Sequence, residues 1–440
     1  SFGKSLQRKP FYRLKNVSGV IAPKQMTLIM SPPGAGSSTY LRVLANNISP
    51  TRGKIIFNGK TFDEAAKDDI DLYKMVSYMD QTDVHLNLLT VLETLRFQCQ
   101  MSSYKYEEDR VNDAMQLLGL SHVANNPLGS CSGGQIRRVS LGSSLVSDTT
   151  CAYFLDEFSN GLDSATAEDI AKGLRQLSNS EGVSIVCTLQ QPTPELLSLF
   201  DKLVLLREGC VVYDGPCCDV LPYFEAIGYV APTDVDTSDF IIDCLSQPRI
   251  ALMRQHQLQQ QYKHDNKLNN KNNTTTTTST SSTTSSKNKG NVFGNARFEN
   301  GHKVVDTSLG PLHVSPQPCV TTEEMVEFYH TSLHWKEIEK QLDTALPLIS
   351  GSPGTDTAVY QPSDRDIFKP LAESSTAKQM YNLSYRMSIV KMLYYMLTRH
   401  SLMTLRNRSV IVSRLIQGTV LSLIMASAFY NIKPSDYQSR

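Results

Sequence analysis

QMTLIMSPPGAGSSTYLRVL, residues 25–44, sets the architecture of the whole chain. Gln25 to Met30 is an apolar run of strand length, and SPPGAGSST (residues 31–39) is a Pro/Gly turn. Beyond it, Leu41, Val43, Leu44 and Ile48 are spaced for one face of a helix. Strand, glycine turn and helix in that order form the context in which backbone N–H groups wrap a phosphate. Gly34 and Gly36 permit backbone positions that a side chain forbids. The phosphate-loop pattern is G-x-x-x-x-G-K-[ST]. Laid on this stretch, Ser31 takes the first glycine, Gly36 the second, Ser37 the lysine and Ser38 the magnesium-binding hydroxyl. The candidate phosphate-contacting set is Gly34, Ala35, Gly36, Ser37, Ser38 and Thr39, and its cation is missing. An ordinary turn between strand and helix explains the loop equally well when it is taken alone.

A second constellation breaks that tie. SCSGGQIRRVSLGSSL (residues 130–145) is followed by AYFLDEFSNGLDSAT (residues 152–166). Tyr153, Phe154 and Leu155 read as a buried strand ending in two carboxylates, Asp156 and Glu157. A carboxylate at the C-terminal end of a strand beside a phosphate loop can hold Mg²⁺, directly or through water. The next one can orient and deprotonate an attacking water.

These runs, in this order, resemble the nucleotide-binding part of an ATP-binding-cassette transporter of the G subfamily, which includes the pleiotropic-drug-resistance transporters. The resemblance covers roughly residues 11–248 and resumes near the C-terminus. It implies an α/β P-loop cassette with a helical signature subdomain, followed by a linker and a transmembrane helix. SPPGAGSST resembles the Walker A loop, and VSYMDQTDVHLNLLTVLETLRF the Q-loop region with Gln81 as its glutamine. CSGGQ (residues 131–135) resembles the signature, FLDE the Walker B strand, and NGLDSAT the D-loop with Asp163. The resemblance implies ATP and Mg²⁺ as cofactors, with Ser38, Gln81 and Asp156 on the metal. Ser132, Gly133, Gly134, Gln135 and Asp163 join the loop residues as nucleotide contacts. Glu157 and Gln190 take the catalytic places, Gln190 standing in CTLQQP where the family has its switch histidine.

The departures are as informative as the matches. Ser37 replaces the Walker A lysine, Gln190 the switch histidine and Phe158 a proline, and the stretch from Leu120 to Cys131 is several residues short. Neither Ser37 nor Gln190 supplies a positive charge, and a helix would point Arg42 away from the phosphates. Losing one well-placed electrostatic donor costs roughly 10²–10³ in rate. Weak to moderate nucleotide binding and slow hydrolysis are therefore expected. In this family two cassettes face head to tail, each ATP lying between one Walker A loop and the other cassette's signature. The implied partner is a second cassette with an intact loop, and the implied activity is export of an amphipathic or lipid-like substrate. A non-hydrolysing regulatory module and a non-functional remnant remain open as alternatives.

Composition agrees with this reading. The 440 residues carry a net charge of zero, so nothing favours a nucleic-acid partner. Nine cysteines in no paired spacing suggest reduced thiols in the cytosol, and Arg137 with Arg138 reads as a solvated helix face. The expected organisation is a cassette over residues 1–248, a linker over 249–376 and a membrane-directed part over 377–440. The linker contains a disordered Asn/Thr/Ser tract at about 264–291. DKLVLLREGCVVYDGP reads as a hairpin with EGC at its turn, and one helix is expected over TTEEMVEFYHTSLHWKEIEKQLDTAL, from Thr321 to Leu346, with Thr321 or Thr322 as its cap. MSIVKMLYYMLTRHSLMTLRNRS suits a helix along a headgroup boundary, and residues 415–432 are long and apolar enough to span a bilayer. Arg399, Arg406, Arg408 and Arg414 precede that span, which places the preceding side, with the cassette, in the cytoplasm, and the resemblance implies that the intact protein is multi-pass. One span cannot enclose a transport path, so a fragment, a truncated product or a remnant is expected.

Overall fold

The computed structural model describes residues 12–68, 70–103, 106–232, 235–255, 257, 260, 297–299, 302–345 and 389–429. The chain divides into two compact units, residues 1–82 with 150–383 and residues 83–149 with 384–440. Each is described by itself.

The first unit is built on a six-stranded sheet. Its strands are β1 (Met26–Met30), β2 (Val76–Met79), β3 (Ala152–Asp156), β4 (Ser184–Thr188), β5 (Lys202–Arg207) and β6 (Cys210–Pro216). Their order is β2-β3-β4-β1-β5-β6, parallel throughout except for β6. Every residue of β1 and β3 is buried, which is why MTLIM and AYFLD read as unbroken apolar runs rather than alternating ones. Parallel sheets bind ligands beyond the carboxyl ends of their strands. There the register sets Asp156 of β3 beside Thr188 of β4 and Met79 of β2 beside Leu155.

The helix after β1 covers Ser37–Leu44, shorter than the sequence pattern suggested. Leu41 is fully buried but Ile48 is 41% exposed, because Asn46 turns the chain away at φ 54°. β5 and β6 form the expected hairpin, with a two-residue turn at Glu208 and Gly209 (φ 49° and 82°), so that Cys210 already belongs to β6. A Cβ on Gly209 would lie 2.1 Å from the Arg13 carbonyl oxygen. The Gly209 N–H also donates to the carbonyl of Ala35 at 3.0 Å, bracing the phosphate loop from behind. Phe158 is fully buried in this unit, a burial worth about 2 kcal/mol.

Residues 302–345 add packed structure where a linker was expected. Two helices, Thr322–Thr331 and Leu333–Ala345, replace the single one anticipated. Thr321 caps the first in a reciprocal box with Glu324, as its spacing indicates. Ser332 breaks the run: its hydroxyl donates to the Tyr329 carbonyl at 2.6 Å and accepts from the Trp335 N–H at 3.3 Å. Trp335 lies against His330, with ring centroids 4.2 Å apart. His334 docks on β6, where Gly215 makes room for its ring, and its Nε2 sits 3.2 Å from the Asp219 carboxylate. The Ser308 N–H donates to the same carboxylate at 2.8 Å. The Asn/Thr/Ser tract lies outside the described residues.

The second unit holds helices Val91–Ser102, Glu108–Leu117 and Gly133–Leu145. A side chain on Gly142 would press within 3.0 Å of Leu95 and Leu118, so the glycine lets the three helices close up. Arg137 is buried rather than solvated, its Nη1 donating to Asp83 at 3.0 Å. Ser140 donates to the same Asp83 oxygen at 2.5 Å, and His85 Nε2 lies 2.7 Å from the Ser140 hydroxyl. Burial pushes the His85 imidazole below its ordinary pKa, against the pull of Asp83. The helix Ile389–Arg406 belongs to this unit, with Arg406 gripping Glu93 at 2.6 and 2.7 Å and Arg399 stacked 4.1 Å over Phe97. The last helix, Arg408–Phe429, contains a 20-residue window of mean hydropathy 1.6, apolar and long enough to cross a membrane. It starts earlier than expected and takes in Arg408 and Arg414, while residues 430–432 lie outside the described residues.

Candidate nucleotide site

The phosphate loop has the backbone its glycines promised. Gly34 has φ 80°, and Gly36 sits at the helix N-cap with φ 107°. Space around Gly34 is open: a Cβ there would meet nothing within 4 Å. No side chain caps the helix Ser37–Leu44, and no acidic residue lies in its first turn. Its leading N–H groups and the positive end of its dipole are therefore available to an anion, with Ala35, Ser37 and Thr39 alongside.

The sheet brings the two carboxylates to this loop. Asp156 is fully buried, and its Oδ1 accepts from the Ser38 hydroxyl at 3.1 Å and from the Thr188 hydroxyl at 2.6 Å. Its Oδ2 accepts from the Tyr78 hydroxyl at 3.4 Å. Glu157 follows with φ 50°, a left-handed conformation fixed by its N–H donating to Thr188, to the carbonyl at 3.1 Å and the hydroxyl at 2.9 Å. Two amides hold its carboxylate: Gln81 Nε2 donates to Oε2 at 2.8 Å and Gln190 Nε2 to Oε1 at 2.5 Å. With a donor on each oxygen, the two amides fix the orientation of the Glu157 carboxylate.

Arg42 is turned onto Tyr78 and Asp80. Its Nε donates to the tyrosine oxygen at 3.0 Å and its Nη2 to both Asp80 oxygens at 3.1 and 2.9 Å. Burial pushes the Tyr78 hydroxyl up to about 12, so it keeps its proton across the working pH range.

Ser38, Gln81, Asp156, Glu157 and Gln190 thus meet at one end of the sheet, with Gln81 donating to Glu157. Asp163 caps the helix Ser164–Glu181 by accepting from the Thr166 N–H at 3.0 Å. The signature residues belong to the second unit. There Ser132 and Gln135 form a capping box on the helix Gly133–Leu145, the Ser132 hydroxyl accepting at 3.3 Å and the Gln135 oxygen at 2.9 Å. Gly133 and Gly134 open that helix. Tyr78, Thr188 and Arg42 complete the site, though nothing in the sequence singles them out as site residues. Their one signal is position, at or just inside the ends of VSYM, SIVCT and the first helix.

These residues fit a magnesium nucleotide. Ser38 and Asp156 are hard oxygen donors within 3.1 Å of each other. Among the described residues no group of three or more His, Cys, Asp or Glu forms a metal cage. A donor pair of this kind suits Mg²⁺, which takes one or two protein oxygens and completes its shell with phosphate and water.

Residues 14–160 match the family model described as ABC transporter, and residues 190–300 match one described as ABC-2 type transporter. The chain is 35% identical over 277 residues to ABC transporter G family member 53 of Oryza sativa subsp. japonica, covering 53% of this chain and 19% of the relative. It is 36% identical over 246 residues to ABC transporter G family member 12 of Dictyostelium discoideum, covering 52% of this chain and 37% of that protein. The chain therefore spans well under half the length of these relatives. A solved structure described as an ATP-binding subunit of an ABC transporter overlaps 48% of the chain and 87% of its own length, at a TM-score of 0.42 and 20% identity. The loop and the paired carboxylates agree with the two family models and with the sequence relatives: this chain carries an ABC transporter ATP-binding domain of the kind found in G family members.

Proposed function

We propose that the chain is the ATP-binding part of a membrane exporter whose own nucleotide site binds but hydrolyses slowly. The observation that supports this reading is the pairing of Ser37, which carries no charge, with a Glu157 whose two oxygens are both engaged by amides. Phosphoryl transfer depends on neutralising charge on the transferred group and on positioning the nucleophile. Bound Mg²⁺ would supply charge neutralisation at the phosphates. The protein's part is to hold the phosphates with the loop amides, to orient the metal-binding oxygens of Ser38 and Asp156, and to keep Glu157 in place. Glutamine at position 190 can hold the glutamate as it does here, but it cannot bring the charge of a protonated imidazole.

The signature of this chain would then serve a second cassette that has the loop lysine, in a head-to-tail pair. The transported substrate is proposed as amphipathic or lipid-like, on the G family resemblance. The apolar helix Arg408–Phe429 would enter the bilayer, with the cassette on the cytoplasmic side by the arginines near its start. The double amide clasp on Glu157 also favours the second reading, a nucleotide-binding regulatory module without turnover.

Titration of the full chain with trinitrophenyl-ATP, with and without Mg²⁺, tests binding, and single-turnover hydrolysis tests chemistry. Saturable binding with slow turnover is expected. Fast single-turnover hydrolysis by this chain alone, or no saturable binding in either condition, overturns the proposal. Co-expression of a Ser132→Ala variant with a cassette that keeps the loop lysine separates the readings. Loss of ATPase supports the donated signature, and unchanged ATPase leaves the regulatory module.

A further inference from the structure

Asp156 is fully buried, and a buried carboxylate needs compensation from the groups around it. In the loop the residue at the usual cation position is Ser37. The hydrogen bonds leaving Asp156 on its other side lead to a cation all the same. Tyr78 donates to Asp156 Oδ2 at 3.4 Å and accepts at the same oxygen from Arg42 Nε at 3.0 Å. Because the guanidinium occupies an acceptor lobe of the tyrosine oxygen, the tyrosine proton is directed to Asp156. Donation from a charged group polarises the hydroxyl and strengthens the bond it makes onward. Asp80 holds the arginine in this pose by accepting twice from Nη2, at 3.1 and 2.9 Å.

We propose that Arg42, acting through the Tyr78 hydroxyl, positions the metal-binding carboxylate of this site. Neither residue touches nucleotide in this scheme; both are positioning residues. Tyr78 fixes Oδ2 while Thr188 and Ser38 fix Oδ1, so the carboxylate plane is set from both sides. Outer-sphere groups of this kind orient metal ligands, and removing one lowers metal affinity by roughly 10–100-fold. The inference rests on the functional reading above, since it concerns how that site holds Mg²⁺. It adds that the cation of this site has been moved to the metal side. Phosphate affinity without metal should therefore be insensitive to it, and metal affinity should depend on it.

The test is a Mg²⁺ titration of trinitrophenyl-ATP binding to the full chain, set beside binding in EDTA. Tyr78→Phe removes one oxygen and should raise the Mg²⁺ midpoint about tenfold while leaving the EDTA affinity unchanged. Arg42→Gln should shift the midpoint in the same direction. The double variant should go no further than the larger single effect, because both act through one chain of bonds. Thermal melts of each variant report folding; if Arg42→Gln fails to fold, Tyr78→Phe carries the test alone. An unchanged midpoint in Tyr78→Phe, or equal losses with and without Mg²⁺, overturns the inference and leaves the functional reading standing. Saturable binding by the unaltered protein that does not depend on Mg²⁺ likewise overturns this inference alone; absence of saturable binding with and without Mg²⁺ overturns the functional reading, and this inference falls with it.

Discussion

Two helix N-termini, one in each unit, solve the same problem in opposite ways. Every helix begins with N–H groups that have no partner inside the helix. The signature helix Gly133–Leu145 satisfies its own, through Ser132 and Gln135 in a reciprocal box. The phosphate-loop helix Ser37–Leu44 does not: its cap is a glycine at φ 107°, without a side-chain hydrogen bond. The first is closed by local chemistry and stands ready without a ligand. The second is left open, and an anion is what would close it. On the reading proposed above, Ser37 at the lysine position leaves the loop without a cation, yet the loop is no ordinary capped turn, since no side chain caps its helix.

The largest expected effect tests that statement directly. Ser37→Lys places a cation in the proposed cradle, and single-turnover hydrolysis should rise by roughly 10²–10³-fold. No gain would mean that the amide clasp on Glu157, rather than the missing charge, limits the site. Next is the closed side of the comparison. Arg137 has 3% of its side chain exposed and pairs with Asp83, so Arg137→Met leaves that carboxylate without its buried partner. Urea unfolding of the full chain should show a loss of about 3 kcal/mol in the transition that carries the signature helix.

Smaller effects sharpen the contrast. Ser132→Ala opens the signature cap and should cost about 1 kcal/mol in the same unfolding experiment. A Gly36→Ala change acts by strain at positive φ, not by loss of a cap, and should appear as weakened nucleotide binding. The smallest effect is at Arg406, whose ion pair with Glu93 is 37% and 28% exposed and is worth no more than about 1 kcal/mol. The hydrogen bond from Arg406 is the largest reason that Glu93 titrates below its ordinary 4.5. A depressed carboxylate stabilises the fold above its unfolded pKa, and that contribution is lost as pH falls through the folded value. Melting temperatures measured downward from about pH 5 should therefore drop less steeply in Arg406→Gln than in the unaltered protein.

What can be read from the sequence is what short-range chemistry decides. Thr321 and Glu324 lie three residues apart, and the box they form needs no knowledge of the fold. The unbroken apolar runs of β1 and β3 likewise declare a sheet covered on both faces. The break at Ser332 is not legible, because TSLHWK contains neither Gly nor Pro and a single hydroxyl settles it. Nor is the setting of Asp156. Tyr78 and Thr188 lie 78 and 32 residues away in sequence and meet it only because β2 and β4 flank β3. Arg137 reads as solvated for a related reason: its partner, Asp83, is 54 residues upstream.

The docking of His334 on β6 has a practical corollary for anyone preparing the cassette alone. A version ending near residue 248, where the sequence composition changes, would strip away the imidazole and the Ser308 amide that meet Asp219. It would also bare Gly215 and the apolar wall made by Tyr213 and Tyr223. A newly wetted aromatic face beside an outermost strand invites clumping, so a soluble preparation should retain the chain through residue 345.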